Sequence, residues 1–289
     1  MLVTDQAARA EALRLLGLDA PIRRIPLHLI PTNDAWVRDY GPTMVTRIAP
    51  TLGLPPRLAV DWTFNAWGEK YPPWEDDDAA AAAMARALQV PAISGSMVLE
   101  GGSIETNGAG LLLTTTDCLL HPNRNPALSR EATETKLRKL LGVDRVLWFS
   151  GSLVGDDTDG HIDQLVRFVA PRRLLAVAPG QREDPNYHSL FQLMREVEQT
   201  AHRHGLEVGE LPPPPRMETP LPASYANFYI ANRLVLVPQF GADRDAEACR
   251  IIADCFPEHR VVGLDCSDVI EGFGAIHCLT QQIPQVPSA

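Results

Sequence analysis

The chain has 289 residues, with 26 lysines and arginines against 36 aspartates and glutamates, so its formal net charge is −10. Its 45% hydrophobic and 21% charged residues are typical of a globular protein and exclude a disordered, collagen-like or coiled-coil chain. The acidic balance argues against nucleic-acid binding, which needs basic side chains to neutralise phosphates, and it tolerates a cationic substrate. No apolar run reaches the roughly 18–20 residues that span a bilayer, and the N-terminus lacks a signal-peptide pattern.

The cysteine pattern argues against a disulfide scaffold and against a zinc ribbon. Five cysteines in a long chain, none of them in a CxxC pair, offer neither an even framework nor paired metal ligands. We therefore expect a reducing, cytoplasmic location in which most of the thiols are buried core residues. The five are Cys118, Cys249, Cys255, Cys266 and Cys278.

Apolar residues at helical spacing predict five separate helices. The first carries Ala8, Ala12 and Leu15 on one face and is expected to end at Gly17. The second opens with Asp76–Asp78, which suit the positive end of a helix dipole and indicate a solvated helix start. The predicted ranges are 5–16, 76–89, 130–141, 187–204 and 245–256.

Short strand pairs lie between the helices and recur about every 60 residues. A hairpin, a helix and a further strand make up each repeat, so we predict a closed ring or propeller, which removes exposed sheet edges. The proline-rich segment 211–215 is expected to be a rigid surface loop rather than a linker. The predicted pairs are 104–106 with 111–114, 165–169 with 174–178, 228–230 with 234–237, and an earlier pair within 39–48, followed by a last strand over 274–280.

Polar clusters stand beside the first strand of successive repeats, in the segments 33–42, 99–104, 155–163 and 272–282. Equivalent ends of a ring of repeats meet near its axis, which predicts one shared site. His161 and Asp163 are two residues apart and would face the same side of a strand. The residues predicted to converge there are Asp39, Glu100, His161, Asp163 and Cys278.

Carboxylates around one thiol and one imidazole are best explained by a planar cation. The serine-hydrolase motif G-x-S-x-G is absent, and a metal site at His161, Asp163 and Asp39 lacks spacings such as H-E-x-x-H. Two carboxylates can grip a guanidinium bidentately, and its central carbon is electrophilic and open to thiolate attack.

Several segments, in the order of the chain, resemble the agmatine deiminase family. That family is related to the bacterial-type peptidylarginine deiminases within the guanidine-modifying superfamily, and the resemblance covers residues from about 24 to 284. It implies an α/β fold, the pentein-like five-bladed α/β propeller, as a single catalytic domain over 1–289. Family members usually carry a longer N-terminal segment, so we expect either a misassigned start or an incomplete first blade. The segments are Asn33–Pro42, Glu100–Ile104, His121–Pro126, Gly160–Asp163, Pro222–Ile230 and Ile276–Gln282.

The resemblance assigns a role to each residue of the predicted site. Cys278 matches the nucleophile and His161 the general acid/base of the family. Asp39 and Asp163 match the carboxylates that bind the guanidinium, and Glu100 matches the supporting acid.

The resemblance also places an acidic residue beside the substrate's distal amine. Asp157 lies where family members place an acidic residue for that amine, but Asp156 and Asp159 are alternatives. With Trp36, these residues would form an acidic mouth. The nucleophile loop departs from the family's Gly-Gly-Gly-Asn because it reads Gly272-Phe273-Gly274-Ala275.

The resemblance implies hydrolysis of agmatine to N-carbamoylputrescine and ammonia, a step towards putrescine and the polyamines, through a covalent amidino-thioether. No metal or organic cofactor is implied. The expected partner is a small cationic guanidinium substrate, with no nucleic acid and no membrane, and a homo-oligomer is compatible with it. Two alternatives stay open, a peptidylarginine deiminase that forms citrulline and a non-catalytic or metal-dependent relative.

Overall fold

A computed structural model describes residues 1–16, 25–47, 53–217 and 219–286. The chain forms two compact units, one of Met1–Ala35, Tyr40–Val98 and Ile283–Ala289, the other of Trp36–Asp39 and Leu99–Gln282. The elements are, in chain order, β1 (Leu2–Val3), α1 (Gln6–Leu15), β2 (His28–Leu29), α2 (Val37–Tyr40), β3 (Thr43–Thr46), β4 (Arg57–Thr63), α3 (Ala66–Glu69, a left-handed turn), α4 (Glu75–Ala87), β5 (Ala92–Val98), β6 (Ile104–Thr106), β7 (Leu111–Thr115), α5 (Thr116–Leu119), α6 (Arg130–Leu141), β8 (Arg145–Phe149), β9 (Val166–Ala170), β10 (Arg173–Val177), α7 (Tyr187–His204), β11 (Glu207–Leu211), β12 (Tyr229–Ala231), β13 (Leu234–Gln239), α8 (Asp245–Cys255) and β14 (Arg260–Asp265).

The first unit contains a two-stranded and a three-stranded sheet. Strands β1 and β2 pair in parallel, with α1 between them in sequence. In the other sheet β3 pairs antiparallel with β4, and β4 pairs in parallel with β5 after the crossover through α4. Met44, Ala59 and Ala85 form a small apolar core between this sheet and α4.

The second unit repeats one motif three times. Its sheets β6-β7-β8, β9-β10-β11 and β12-β13-β14 each begin with an antiparallel hairpin and add a third, parallel strand. The helix that precedes each third strand is α6, α7 or α8 in turn. A parallel strand needs such a crossover, because a tight turn can only reverse the chain. The predicted repeat of hairpin, helix and further strand is confirmed.

Local signals explain where the long helices begin and end. The Ser129 side chain accepts the Ala132 N–H and caps α6, and Gly142 ends that helix in the left-handed conformation at φ +68°. Gly205 ends α7 in the same way at φ +63°. The apolar face of α7, Leu190, Leu193, Met194, Val197 and Ala201, is buried against the sheets of its unit.

The predicted helices agree with the structure to within a residue or two at each end, but two of their details differ. None of the described side chains of α1 is buried, so its predicted apolar face packs weakly, and Gly17 lies outside the described residues. In α4, Asp77 is buried and accepts the N–H groups of Asn33 and Asp34. Burial raises the pKa of Asp77 to about 6, so the expectation of a solvated helix start is wrong for this residue.

Two predicted strand assignments are also wrong. Within 39–48 only Thr43–Thr46 is extended, and its partner is β4 beyond the next loop, because the residues before Gly41 form the single turn α2. The segment 274–280 is not a strand. A 3-10 turn over Val269–Gly272 leads into further turns, in which Leu279 N–H donates to the Ala275 carbonyl.

The proline-rich segment 211–215 continues from β11 inside the second unit, as expected of a loop rather than a linker, although Pro212 and Pro214 are buried. Among the helices of the described ranges, none is long and apolar enough to cross a membrane.

Candidate active site

The short segment Trp36–Asp39 belongs to the same unit as the nucleophile loop and is tied to it by hydrogen bonds. The Arg38 N–H donates to the Cys278 carbonyl at 3.0 Å, and its guanidinium donates to the His277 carbonyl at 3.3 Å and to Gln282 Oε1. These bonds join positions 239 to 244 residues apart in sequence. They bring Asp39 to the loop that carries Cys278.

Three predicted site residues converge on one point beside Gly102. A methyl group added at Gly102 would stand 2.6 Å from His161 Nδ1, 2.8 Å from Asp39 Oδ1 and 3.1 Å from Asp163 Oδ2. The Gly102 N–H also donates to Asp39 Oδ1 at 2.9 Å and so orients that carboxylate. Glycine is therefore required here to leave room between the imidazole and the two carboxylates.

His161 lies at the start of a 3-10 turn over Ile162–Gln164, so the prediction that it shares a strand face with Asp163 is wrong. Both side chains nevertheless reach the same point, because the tight turn directs them inward. The His161 ring lies between two acids, with Nδ1 3.7 Å from Asp39 Oδ1 and Nε2 3.8 Å from Glu100 Oε2. Burial opposes its charge, but the Asp39 charge and contacts with Cys118 and Glu100 prevail and raise the pKa of His161 well above 6.5.

Glu100 is fully buried and is neutralised by an arginine. Arg124 Nε donates to Glu100 Oε1 at 2.7 Å, and the Cys118 thiol lies 3.8 Å from Oε2. Burial raises the pKa of Glu100, but His161 and Arg124 outweigh it, so the net shift is downward and Glu100 stays ionised.

Among the described residues, Glu100, Cys118 and His161 form a group that could hold a metal ion, with their ligand atoms within 4.8 Å of one another. The Arg124 guanidinium already occupies one oxygen of Glu100. A divalent ion would therefore be placed beside a buried positive charge, which disfavours it. These three side chains are therefore better suited to sharing a proton than to binding a metal ion.

The Cys278 thiol is buried among acids and one amide. Asn227 Nδ2 lies 3.2 Å from Cys278 Sγ, and Asp163 Oδ2 lies 4.0 Å from it. Burial and then the charges of Asp163 and Asp39 raise the pKa of Cys278 well above its ordinary value. The free protein therefore holds this residue as a thiol at neutral pH.

Asp163 is the acid with the least compensation. Its Oδ2 accepts from His277 Nδ1 at 2.7 Å and from Asn227 Nδ2 at 3.3 Å, and its Oδ1 has no hydrogen-bond partner among the described residues. Burial raises its pKa to about 7, against the opposing charge of His161. Burial, followed by the charges of Arg167 and Arg38, lowers the pKa of His277 well below 6.5, so its imidazole is neutral.

Trp36 lies against the nucleophile loop rather than apart from it. A methyl group at Gly272 or Gly274 would stand 2.8 Å or 2.6 Å from its ring, so the indole packs directly on the backbone there. Phe273 between them takes the left-handed conformation at φ +68°, which costs a non-glycine residue on the order of 1 kcal/mol. Ala275, at the position where the family has asparagine, supplies a backbone hydrogen bond that lowers the pKa of Cys278, against the larger upward effect of burial.

The predicted acidic mouth is only partly available. Asp156 caps its own turn by accepting from the Thr158 and Gly160 N–H groups, and Asp159 pairs with Arg124 at 2.6 Å. These two carboxylates therefore stabilise the loop. Asp157, half-buried between them in sequence, is the remaining acid of the segment.

Sequence reasoning missed several residues of this site. Gly102, Cys118, Arg124, Asn227 and His277 all contact the predicted residues. Most of them lie in the segments that carry the family resemblance, yet nothing in their spacing assigned them a role. Each contacts a partner remote in the chain, which no local pattern reveals.

The chain matches the family model described as Porphyromonas-type peptidyl-arginine deiminase over residues 1–284. A relative from Selenomonas ruminantium named "Putative agmatine deiminase" is 38% identical over 99% of this chain and 83% of its own length. The structure of a C. jejuni agmatine deiminase with substrate bound matches at TM-score 0.85 and 30% identity, over 97% of this chain and 80% of that one. The agmatine deiminase of Enterococcus faecalis matches at TM-score 0.83 and 33% identity, over 92% and 80%.

The protein therefore belongs to the Porphyromonas-type peptidyl-arginine deiminase family, and agmatine deiminases are among its relatives. It shares the mixed α/β fold of those structures.

We predict that Gly102→Ala abolishes turnover without unfolding the chain. The backbone φ there lies outside the left-handed region, so alanine adds no backbone strain, and the three atoms nearest to the added methyl belong to His161, Asp39 and Asp163. The control is Gly108→Ala. It places an alanine in the left-handed conformation at φ +66°, which costs some stability, but its methyl group lies in open space away from the site. Ureido-product formation and the thermal midpoint should be measured for both. Normal turnover in Gly102→Ala would show that the substrate does not enter between His161 and the two aspartates.

Proposed function

We propose that the protein is an agmatine deiminase, a hydrolase that cleaves a C–N bond of agmatine to give N-carbamoylputrescine and ammonia. The observation that carries the proposal is the convergence of His161, Asp39 and Asp163 at Gly102, with Cys278 against Asp163. Two carboxylates, one imidazole and one thiol around a single point match the shape, charge and reactivity of a guanidinium. The names of the relatives support agmatine as the substrate.

In the first half-reaction the carboxylates of Asp39 and Asp163 hold the guanidinium and align its carbon with Cys278. The cation offsets the negative charges that oppose ionisation of the thiol, which then loses its proton to water. The thiolate forms an S–C bond, and His161 protonates the departing nitrogen as the C–N bond breaks. Ammonia leaves, and an amidino-thioether remains on Cys278.

In the second half-reaction water takes the position of ammonia. His161, now neutral, accepts a proton from the water as its oxygen bonds to the carbon. The S–C bond breaks, the thiolate is regenerated and the hydroxyl proton leaves to solvent, which completes the urea. Glu100, held by Arg124, supports the imidazolium on the face opposite the substrate.

This chemistry needs no metal or organic cofactor, because the charge of the substrate itself activates the carbon. We also propose a five-bladed α/β propeller acting as one catalytic domain over residues 1–289, supported by the repeated sheets. Two further statements stay predictions: the protein is cytoplasmic, and it contributes to putrescine formation. We also predict that it has no nucleic-acid or membrane partner, and a homo-oligomer is compatible with these predictions.

The buried arginines favour agmatine over free arginine. Free arginine carries an α-carboxylate, which a site must meet with a cation or strong donors. Arg38 and Arg124 donate to His277, Gln282, Glu100 and Asp159, and Arg167 donates to the carbonyls of Ala226 and Phe228. Apart from Arg38 Nη2, which is buried without a hydrogen-bond partner among the described residues, these guanidinium groups are directed to groups of the protein itself.

Peptidylarginine is the second candidate, since the matching family model is described by that activity. A peptide also lacks the free α-carboxylate, so the charges above do not distinguish it from agmatine. The deciding experiment is a ureido-product assay on agmatine, free arginine and a blocked arginine peptide. Agmatine as the best substrate supports the proposal, the peptide as the best supports the second candidate, and free arginine as the best contradicts both.

Asp157→Ala should raise KM for agmatine by about tenfold or more while changing kcat little. The distal ammonium is held equally in ground and transition states, so its loss weakens binding rather than the chemical step. Asp254→Ala, a surface acid on α8, is the control. Unchanged agmatine kinetics in Asp157→Ala would remove this residue from the binding site.

Asp39→Asn and Asp163→Asn should each lower kcat by orders of magnitude, because an amide cannot offset the substrate's charge. Asp163→Asn should also stabilise the free protein. The folded pKa of about 7 lies above the unfolded value of 3.8, so ionisation of Asp163 costs stability as pH rises through this window. Removing that cost should raise the free energy of unfolding at pH 7 by up to about 4 kcal/mol.

Denaturant unfolding at pH 5 and pH 8 tests the effect of Asp163→Asn. The gain in stability should be larger at pH 8, where the wild-type carboxyl is ionised. If Asp163→Asn instead destabilises the protein and retains turnover, Asp163 belongs to a structural ion pair.

Cys278→Ala should abolish turnover, whereas Cys249→Ala, Cys255→Ala and Cys266→Ala should retain it. The three control thiols lie on or beside α8 and β14, in or against the apolar core. Activity should resist chelators and be lost on alkylation of Cys278, as expected of a covalent enzyme without a metal. Loss of activity on chelation, or turnover by Cys278→Ala, would contradict the proposed mechanism.

A further inference from the structure

Asn227 occupies a central position that the mechanism above leaves unused. It is fully buried just before β12. Its side chain contacts Cys278, the preceding residue His277, and Asp163. Asp163 and Asp39 are the two carboxylates proposed to hold the guanidinium, and they are called the clamp below. Every polar atom of the Asn227 carboxamide has a partner in the site. Such a group is costly to bury unless all of these contacts form together.

The hydrogen bonds also determine which way the amide faces. Its Oδ1 accepts the N–H of His277 at 3.0 Å and the N–H of Cys278 at 3.4 Å. Two backbone donors on one side require an acceptor there, so the NH₂ group must point the other way. That group lies 3.2 Å from Cys278 Sγ and 3.3 Å from Asp163 Oδ2.

Among the described residues, two neutral groups act on the sulfur by hydrogen bonds that lower its pKa, the backbone of Ala275 and the side chain of Asn227. Asp163 Oδ2 lies 4.0 Å from the sulfur and repels a thiolate, while Asn227 Nδ2 is a neutral side-chain donor 3.2 Å from it. A hydrogen bond to the charged form favours that form, and it strengthens in a dry site. The same NH₂ group also holds Asp163 in line with the sulfur.

We propose that Asn227 is a catalytic residue that stabilises the Cys278 thiolate by a direct hydrogen bond and holds Asp163 beside it. This inference rests on the proposed role of Cys278 as the nucleophile, but it does not depend on which guanidinium compound is the substrate. It assigns to Asn227 the task that a cationic partner performs for many reactive cysteines.

The test measures the ionisation of Cys278 without any turnover. The probe is 2-chloroacetamidine, a small amidinium whose chloromethyl carbon alkylates the Cys278 thiolate, so that an S–C bond forms as the C–Cl bond breaks and chloride leaves. The rate of modification of Cys278 is followed across pH by peptide mass spectrometry, with Cys278→Ala as the blank. Asn227→Asp keeps the shape and the acceptor oxygen but replaces the donor with a carboxylate, and Asn227→Ser removes the amide altogether.

Both variants should move the midpoint of alkylation to higher pH by about one unit or more, a tenfold change in ionisation, with the larger shift in Asn227→Asp. Their kcat/KM for agmatine should fall at least tenfold. Asn232→Asp makes the same chemical change in the exposed turn of the same hairpin and should leave both measurements unchanged. Thermal unfolding and circular dichroism establish that the variants are folded.

The unsubstituted protein offers a second measurement if both variants fail to fold. The assigned side-chain ¹⁵NH₂ resonance of Asn227 should titrate with the alkylation midpoint of Cys278, and this titration should vanish in Cys278→Ala. Alkylation midpoints within 0.3 units of wild type, or an Asn227 resonance insensitive to Cys278, would overturn the inference. Asn227-dependent alkylation without agmatine turnover would instead uphold it and contradict the proposed substrate.

Discussion

The second unit depends on one constraint: it buries carboxylates whose negative charge is not fully offset by neighbouring positive groups. Glu100 is matched by Arg124 at 2.7 Å, whereas among the described residues Asp163 accepts hydrogen bonds from three neutral side chains, those of His277, Asn227 and Cys278. A buried carboxylate so placed costs several kcal/mol, and its pKa of about 7 records that cost. The charges of His161, Arg167 and Arg38 offset this cost only in part, and a bound guanidinium would offset more of it.

The backbone around the site is arranged to maintain this charge distribution. A methyl group at Gly101 would stand 2.1 Å from the Arg38 carbonyl, so the absence of a side chain there allows the segment Trp36–Asp39 to approach. Arg38 then directs its guanidinium to the His277 carbonyl and Gln282 instead of the clamp. The arginine therefore joins two distant segments through neutral acceptors without neutralising the aspartates.

Sequence periodicity predicted the elements of the fold better than the turns of the site. Helices such as 187–204 and hairpins such as 104–114 follow local patterns of apolar residues and turn formers, which determine their structure. The segments 161–163 and 274–280 were predicted as strands because polar and apolar residues alternate there, but tight turns bury the same residues. The acids of the clamp were predicted because the family resemblance and their repeated positions agreed.

The residues that sequence reasoning missed share one physical property. Asn227 and His277 contact Asp163 across 64 and 114 residues, and Arg124 reaches Glu100 across 24. Asn227, His277 and Arg124 are neither nucleophiles nor acids, so the chemical type of these three gives no signal either. Their effect is to determine which buried groups carry charge, and that depends on geometry alone. A catalytic site of this kind therefore has reactive groups that a sequence can indicate and neutral donors, such as Asn227, that only a structure reveals.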